Sequence, residues 1–255
     1  MTVTRRAFLA CSTAASLWAA GQSRFRFGHH FYNWDQSFDL ELKLRLTAET
    51  GWEGFEAKPE EFGIPAAELR KRAAALKLSC AAVGGSLKPA IDYAHMAGAG
   101  IARVSVPKDD CTRWVDYAGE RGVILVVHNH IGGIETREQM LRYLDERPGT
   151  YACPDTGHLA LCGSDPVQTI RDLGFRCRYV HLKDIDPAKV GTKIGGGDCF
   201  WDLGTGAVDL EGVRDALLAV GYKGWVMVER DRRVPDYAAS ARNMRQVVRK
   251  LFERG

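Results

Sequence analysis

The chain carries little net charge. Its 35 lysines and arginines against 32 aspartates and glutamates leave +3 over 255 residues, and two of the positive charges, Arg5 and Arg6, stand at the extreme N-terminus. The remainder is close to neutral, which removes the electrostatic footprint of a nucleic-acid-binding protein and of a polybasic membrane patch. A long apolar run is missing as well. The charge-free stretch over 7–22 holds only about a dozen apolar residues, short of the roughly 20 that span a bilayer. No two of the seven cysteines stand at CxxC spacing, which argues against a thiolate zinc site. No GxGxxG follows the first strand-like run, as a dinucleotide-binding doubly wound sheet would require. The run Gly195-Gly196-Gly197 comes late and is not followed at once by a helical pattern, so it reads as a flexible loop.

What is present is the composition of a globular protein, with 45% hydrophobic and 26% charged residues. A chain of this length buries roughly 70% or more of its unfolded surface, so a substantial core is expected. Residues 4–21 place Arg5-Arg6 before Phe8-Leu9 and a weakly apolar, small-residue run. That pattern is expected to be a twin-arginine export signal, cleaved near Ala19-Ala20-Gly21. The expected location is therefore periplasmic or exported, with the domain beginning at residue 22. Cys11 leaves with the signal. Cys80, Cys153 and Cys177 lie in strand-like apolar runs, where cysteine behaves as a small buried hydrophobe. Cys111 and Cys199 fall in loop-like stretches that suggest exposure.

Past the signal one pattern repeats eight times, a short β-rich run followed by a helical one. Strands are expected at 25–32, 54–57, 78–83, 102–106, 124–128, 151–154, 178–182 and 225–229. Helices are expected at about 39–50, 65–76, 87–98, 110–121, 136–146, 166–173, 209–220 and 236–253. Glycines close many of the helices, at Gly51, Gly100, Gly122, Gly174 and Gly221. Eight such units in one chain of this length is the count of an α/β fold of the single (β/α)8 TIM-barrel type. No domain boundary interrupts it. The one long connection, 184–208, is of a length that in compact domains is usually functional.

In such a barrel, function is built at the C-terminal ends of the strands. Strand five ends in His128-Asn129-His130, with Glu135 following. Strand six ends in Asp155-Thr156-Gly157-His158, strand seven in His181-Leu182-Lys183-Asp184, and strand eight in Val228-Glu229. Each position alone has an ordinary structural explanation, Asp155 as a turn or helix cap above all. Acids and imidazoles on four successive strand ends point instead to a divalent-metal or acid–base site. Oxygen-rich ligands with imidazole suit Mn²⁺, Mg²⁺ or Co²⁺ better than a structural zinc. Such a cation can polarise a carbonyl and stabilise the enediolate formed by deprotonation of the neighbouring carbon, with carboxylates moving the proton.

These motifs, together with Asp202-Leu-Gly-Thr-Gly-Ala-Val-Asp209 and Gly221-Tyr-Lys-Gly-Trp-Val-Met-Val-Glu229, resemble the sugar phosphate isomerase/epimerase superfamily of xylose isomerase-like TIM barrels. Inosose dehydratase-like members are the nearest in pattern. The resemblance covers nearly all of the chain after the signal and is strongest from 123 to 231. It implies a metal quartet of Asp155, His181, Glu229 and a glutamate after strand five. Many relatives have Glu-Asn-His where this chain has His128-Asn129-His130. Glu135 is the natural replacement, with His128 or His130 as the alternative. Glu135 and Glu229 would then move protons, with His158 as a third catalytic group at the substrate hydroxyl. Glu56, His130, Lys183 and Trp201 would line the substrate pocket, Trp201 and Phe200 capping the sugar. Lys183 has a second reading, a rim salt bridge to Asp184.

The implied activity is that of a metal-dependent isomerase or epimerase, drawing a proton from beside the carbonyl of a keto-sugar or polyol. Mn²⁺ is the leading cofactor, with Mg²⁺, Co²⁺ or Zn²⁺ as alternatives. A dehydratase or lyase on a keto-inositol or keto-glycoside begins with the same step, and a non-catalytic sugar-binding barrel is the third reading. Expected partners are a small-molecule sugar or polyol, the twin-arginine translocation machinery and, in a homo-oligomer, further copies of the chain. Neither nucleic acid nor stable membrane insertion is expected.

Overall fold

A computed structural model describes residues 25–253. The proposed signal over 1–21, with Cys11, lies outside the described residues. The strands are β1 (Arg26–His30), β2 (Gly54–Ala57), β3 (Ser79–Gly84), β4 (Ile101–Arg103), β5 (Ile124–His128), β6 (Tyr151–Cys153), β7 (Val180–Leu182), β8 (Asp184–Ile185), β9 (Phe200–Trp201) and β10 (Trp225–Val228). The helices are α1 (Leu40–Glu49), α2 (Pro59–Phe62), α3 (Ala66–Ala75), α4 (Leu87–Ala97), α5 (Cys111–Gly119), α6 (Arg137–Asp145), α7 (Thr156–Leu161), α8 (Pro166–Leu173), α9 (Leu210–Ala219) and α10 (Tyr237–Phe252). Eight strands form one parallel sheet in the order β6-β5-β4-β3-β2-β1-β10-β7. Two isolated parallel bridges, Ala152 to Cys177 and Asp155 to His181, bring its two edges together. The result is the expected eight-stranded barrel, nearly closed by hydrogen bonds.

Period-two alternation sorts the side chains. Trp225 and Met227 of β10 belong with Ala81, Val126, Cys153 and Tyr179 to a small cluster that fills the barrel, as layered side chains do in this architecture. The intervening Val226 and Val228 pack outward with Met244, Val248 and Leu217 of the helices. A second outer cluster, including Leu44, Phe55, Leu69 and Ile91, covers the N-terminal half. Several helices begin on caps that explain their starts. Asp39 accepts from Leu42 N, and Thr136 with Gln139 forms a reciprocal capping box.

The first strand is shorter than expected, because Phe31–Asn33 turns into a 3-10 helix. Helices α2 and α7 are not in the expected set. All six cysteines among the described residues are free and buried. Cys111 and Cys199 are thus not exposed: the first packs in the N-terminal cluster and the second against Phe200.

The long connection after β7 is ordered by one side chain. Buried Asp184 accepts hydrogen bonds from the backbone N–H groups of Ile185, Gly204, Gly206 and Val208, all at 2.9–3.0 Å. A β-carbon at Gly206 would fall 2.3 Å from the Ile185 carbonyl and 2.4 Å from Asp184 Oδ1, so only glycine lets this strand of loop approach. β8 and β9 then pair antiparallel, Asp184 with Trp201 and Ile185 with Phe200, and carry Phe200 back over the mouth of the barrel.

Candidate metal centre and active site

The alternation that fills the barrel also builds the site. Residue pairs two apart share a face, so the inward face of each strand continues upward into its C-terminal end. Gly28 is followed by His30 on β1, Gly54 by Glu56 on β2, and Val126 by His128 on β5 and His130 just past it. Cys153 at the end of β6 is followed by Asp155, Tyr179 before β7 by His181 within it and Lys183 after it, and Met227 of β10 by Glu229 and Asp231 beyond its end. Each apolar or small residue inside the barrel is thus capped by a polar one above it.

Four of these side chains converge. One ligand atom from each of His128, Asp155, His181 and Glu229 lies within 4.8 Å of the other three. His128 Nε2 stands 3.2 Å from Asp155 Oδ2. His181 Nδ1 stands 3.8 Å from the same oxygen and 2.7 Å from Glu229 Oε2. Asp155 serves two purposes. Its Oδ1 caps α7 by accepting from His158 N at 2.9 Å, and Asn129 Oδ1 accepts from its backbone N–H at 2.7 Å, which leaves Oδ2 aimed at the cluster.

His181 is prepared as a ligand. Its Nε2 lies 2.7 Å from the Glu56 carboxylate. That carboxylate accepts the Nε2 proton. Burial opposes a charged ring, but Cys153, Glu56 and Glu229 raise its pKa well above the ordinary imidazole value, so a cation binding at Nδ1 would replace a proton there. Nδ1 is buried and pairs with the Glu229 carboxylate. Glu56 is in turn held by Arg103 and by the Tyr179 hydroxyl at 2.8 Å. A buried imidazole, its far nitrogen held by a carboxylate and its near nitrogen facing two more, has the donor set and outer support of a metal site, and the residues fit a divalent cation.

Around this cluster the electrostatics are tightly coupled. Lys183 is buried, its Nζ 3.3 Å from Asp155, 3.5 Å from Glu229 and 3.3 Å from Asp231. Burial works against every charge here, but those three carboxylates outweigh it and keep Lys183 cationic above its usual range. Asp155 and Glu229, despite burial, are held ionised below the usual carboxylate range, first by Lys183. Asp231 goes the other way. Burial, with Glu229 and Asp155 nearby, lifts it to about 6 in spite of Lys183. Burial lowers His158 to about 4, so its ring is neutral near pH 7. Its Nδ1 is buried and unpartnered. Burial likewise takes His30 to about 4 and His128 to about 3.

A cavity of about 280 Å³ opens onto this cluster, lined by His30, His128, His158, His181, Lys183 and Glu229 among others. His130 also lines it, so His130, His158 and Lys183 stand where the sequence pattern puts them. Three expectations need correction. Glu135 does not join Asp155, His181 and Glu229. It lies beyond the strand on the β5–α6 connection, where its carboxylate accepts from Gly132 N at 2.9 Å and pairs with Lys193 at 2.7 Å. His128, the alternative, stands in the fourth place beside Asp155, His181 and Glu229, and Glu135 lies apart from them. Glu56 does not line the pocket. It is wholly buried behind His181, spent on Arg103, Tyr179 and the imidazole. Trp201 does not line the cavity either, because along β9 it is its neighbour Phe200 that turns to the site, 4.8 Å from the His158 ring and 4.5 Å from Lys183 Nζ. The salt bridge of Lys183 to Asp184 is absent, Asp184 being committed to the loop. Asp231 and His30 are functional-site residues that the motifs did not single out. Their spacing of two from Glu229 and Gly28 is the signal that places them.

The class of protein follows from fold and site together: a TIM barrel with a cluster of four candidate metal ligands at the C-terminal strand ends. The chain belongs to the xylose isomerase-like TIM barrel family, whose model matches residues 102–251. It is similar to the inosose dehydratase of Geobacillus thermodenitrificans, 34% identical over 137 residues that make up 49% of this chain and 46% of that protein. The inosose dehydratase of Clostridium botulinum is 32% identical over 130 residues, 45% of this chain and 43% of that protein. The matched stretch thus spans under half the length of these relatives. Among solved structures, a D-allulose 3-epimerase from Methylomonas sp. superposes with a TM-score of 0.73 at 19% identity, over 91% of this chain and 99% of that one. The IOLI protein with a bound zinc atom superposes at 0.74 and 18% identity, over 90% of this chain and all of that one. At these identities the structures speak for the fold.

Proposed function

We propose that the protein is a divalent-metal-dependent lyase that removes water from a keto-sugar or keto-polyol after abstracting a proton beside the carbonyl. The observation that carries this is the convergence of one ligand atom each from His128, Asp155, His181 and Glu229 within 4.8 Å, with His181 supported from behind by Glu56. Those four residues would hold the cation, Mn²⁺ or Zn²⁺ suiting two imidazoles and two carboxylates. When bound, the cation supplies Lewis acidity to a carbonyl and an adjacent hydroxyl.

The chain's own residues supply the rest. Lys183 Nζ is a fixed, desolvated positive charge that stabilises negative charge developing on the substrate oxygen. His158 presents a neutral imidazole whose free Nδ1 accepts from or donates to a substrate hydroxyl. Glu229 and Asp231 come from the same strand end, one ionised and the other poised near neutrality. They are an unlike pair, one suited to take the C–H proton and the other to give a proton to a departing hydroxyl. In that step the C–H bond breaks, a C=C bond forms, the β C–O bond breaks, and the hydroxyl leaves as water with the proton it receives. Exchange of a proton between the two faces of one carbon asks instead for two bases on opposite sides. With Glu135 tied to Lys193, the β5 side offers only imidazoles. This asymmetry, and the similarity to inosose dehydratases, favours elimination over the isomerase or epimerase reading.

The test is incubation of Mn²⁺-loaded protein with keto-sugars and keto-inositols in D₂O. Product lighter than substrate by one water supports the lyase. Deuterium in an isomeric product of unchanged composition supports the epimerase instead, and no exchange with any of them leaves the sugar-binding reading.

A further inference from the structure

The cavity over the metal quartet does not end there. A second cavity of about 610 Å³ adjoins it and shares Tyr32, His130, His158 and Asp231 with it. Its remaining walls are of another character: Ile131, Ile194, Phe200 and Gly195–197, with Lys193, which is paired to Glu135, as the one further charged residue. Ile194 is 63% exposed, an aliphatic side chain held at a cavity mouth. The loop that carries it is fastened down. Gly191 N and Lys193 N donate to the carbonyls of Ala160 and Leu161 at 3.0 Å, and Lys193 Nζ reaches Glu135. Glu135, discarded as a metal ligand, thus has a position that makes sense as the latch of this wall.

We infer that the substrate is bipartite: a keto-sugar ring seated at the metal quartet, bearing a second ring that enters the outer cavity against Ile194, Ile131 and Phe200. The inner space has the size of one sugar ring and a polar, charged lining. The outer one is larger, carries no carboxylate beyond the shared Asp231, and presents apolar and aromatic faces of the kind that take the flat face of an aryl group or of a second sugar. A free monosaccharide would leave this outer space, and the exposed aliphatic wall, without a use. The chemistry named is therefore a keto-glycoside. The inference rests on the proposed function for the inner ring only.

The experiment compares three probes on the full chain loaded with Mn²⁺: methyl 2-keto-glucoside, phenyl 2-keto-glucoside and cellobiose oxidised at C2 of its non-reducing ring, each keeping at C4 the β-hydroxyl that the elimination expels. Binding is read by calorimetry and turnover separately. The second ring is expected to tighten binding by at least about tenfold over the methyl compound, the phenyl and cellobiose arms telling which ring is preferred. That ratio is expected to collapse toward one in Ile194→Asp and to fall in Glu135→Gln, which releases the latch. A ratio near one in the parent, or an unchanged ratio in both variants, overturns the inference. A preserved binding ratio with no turnover of any probe would instead count against the lyase reading and leave the bipartite site standing. Turnover of the methyl compound with no advantage for either second ring does the reverse.

Discussion

Replacing His128 or Glu135 by alanine separates two assignments of the fourth ligand that adjacency in sequence cannot tell apart. In the structure His128 Nε2 faces Asp155 Oδ2 at 3.2 Å, and Glu135 faces Lys193 at 2.7 Å. At a Mn²⁺ concentration one hundred times the parent's Kd, a ligand that binds only the folded state adds about 2.7 kcal/mol. For a domain of this size that raises Tm by about 5–11 °C, at roughly 2–4 °C per kcal/mol. Loss even of an outer partner of a ligand commonly weakens metal binding 10–100-fold, so loss of the imidazole itself should weaken it by at least about 100-fold. The same Mn²⁺ concentration then only equals Kd, and the increment falls to about 0.4 kcal/mol, near 1 °C. Glu135→Ala should keep the whole increment, because it removes only a surface ion pair of small worth. The assay is calorimetric melting of metal-stripped protein with and without MnCl₂. A full increment in His128→Ala together with its loss in Glu135→Ala would refute the reasoning and restore Glu135 to the metal.

Four further outcomes are expected. Glu56→Gln removes the charged acceptor that holds His181 Nε2–H and should weaken Mn²⁺ binding by about 10–100-fold in a competition titration with a chelator; an unchanged affinity would show that His181 is oriented without it. Asp184→Ala strips the acceptor from four backbone N–H groups and should cost about 3 kcal/mol or more in urea unfolding, at roughly 1–3 kcal/mol for each donor left buried. His29 is buried between Trp34 and Trp52 with neither ring nitrogen hydrogen-bonded, and burial first, then Arg230 and His30, holds its pKa well below the ordinary value. Its folded form stays neutral while the unfolded form takes up a proton below about pH 6.5, so it removes stability by up to about 1.4 kcal/mol per pH unit as pH falls from there toward its folded pKa; His29→Leu should be less acid-sensitive, and an identical pH profile would count against this. We propose that Arg5-Arg6 directs export, so changing both to lysine should leave the protein in the cytoplasm.

What was legible in the sequence follows one physical line. Strand–helix alternation and the glycine stops specify eight units, and strand parity places every inward polar residue. From Met227 one steps to Glu229 and Asp231, from Tyr179 to His181 and Lys183, from Val126 to His128, and from Cys153 to Asp155. All four members of the quartet obey that rule, but His130 obeys it as well, so parity alone leaves the choice between His128 and His130 to the structure. Glu135 stands seven residues past His128, beyond the turn at Gly132-Gly133, where the chain has left the strand and parity no longer reports direction. Its carboxylate belongs to Lys193, 58 residues away, a partner no local pattern reveals. Glu56 obeys parity and still misses the pocket. Parity gives the direction of a side chain but not its depth, and the reach of Tyr179 and Arg103 to this carboxylate fixes it behind His181, outside the quartet. Asp184 differs again: its neighbour Lys183 faces the site, so parity sends Asp184 away from it and toward the loop it organises. The errors therefore fall where a side chain's partner is distant in sequence. Within the strands themselves the pattern of alternate residues gives the inward set, and only the contacts of Glu56 with Tyr179, Arg103 and His181 separate it from the quartet.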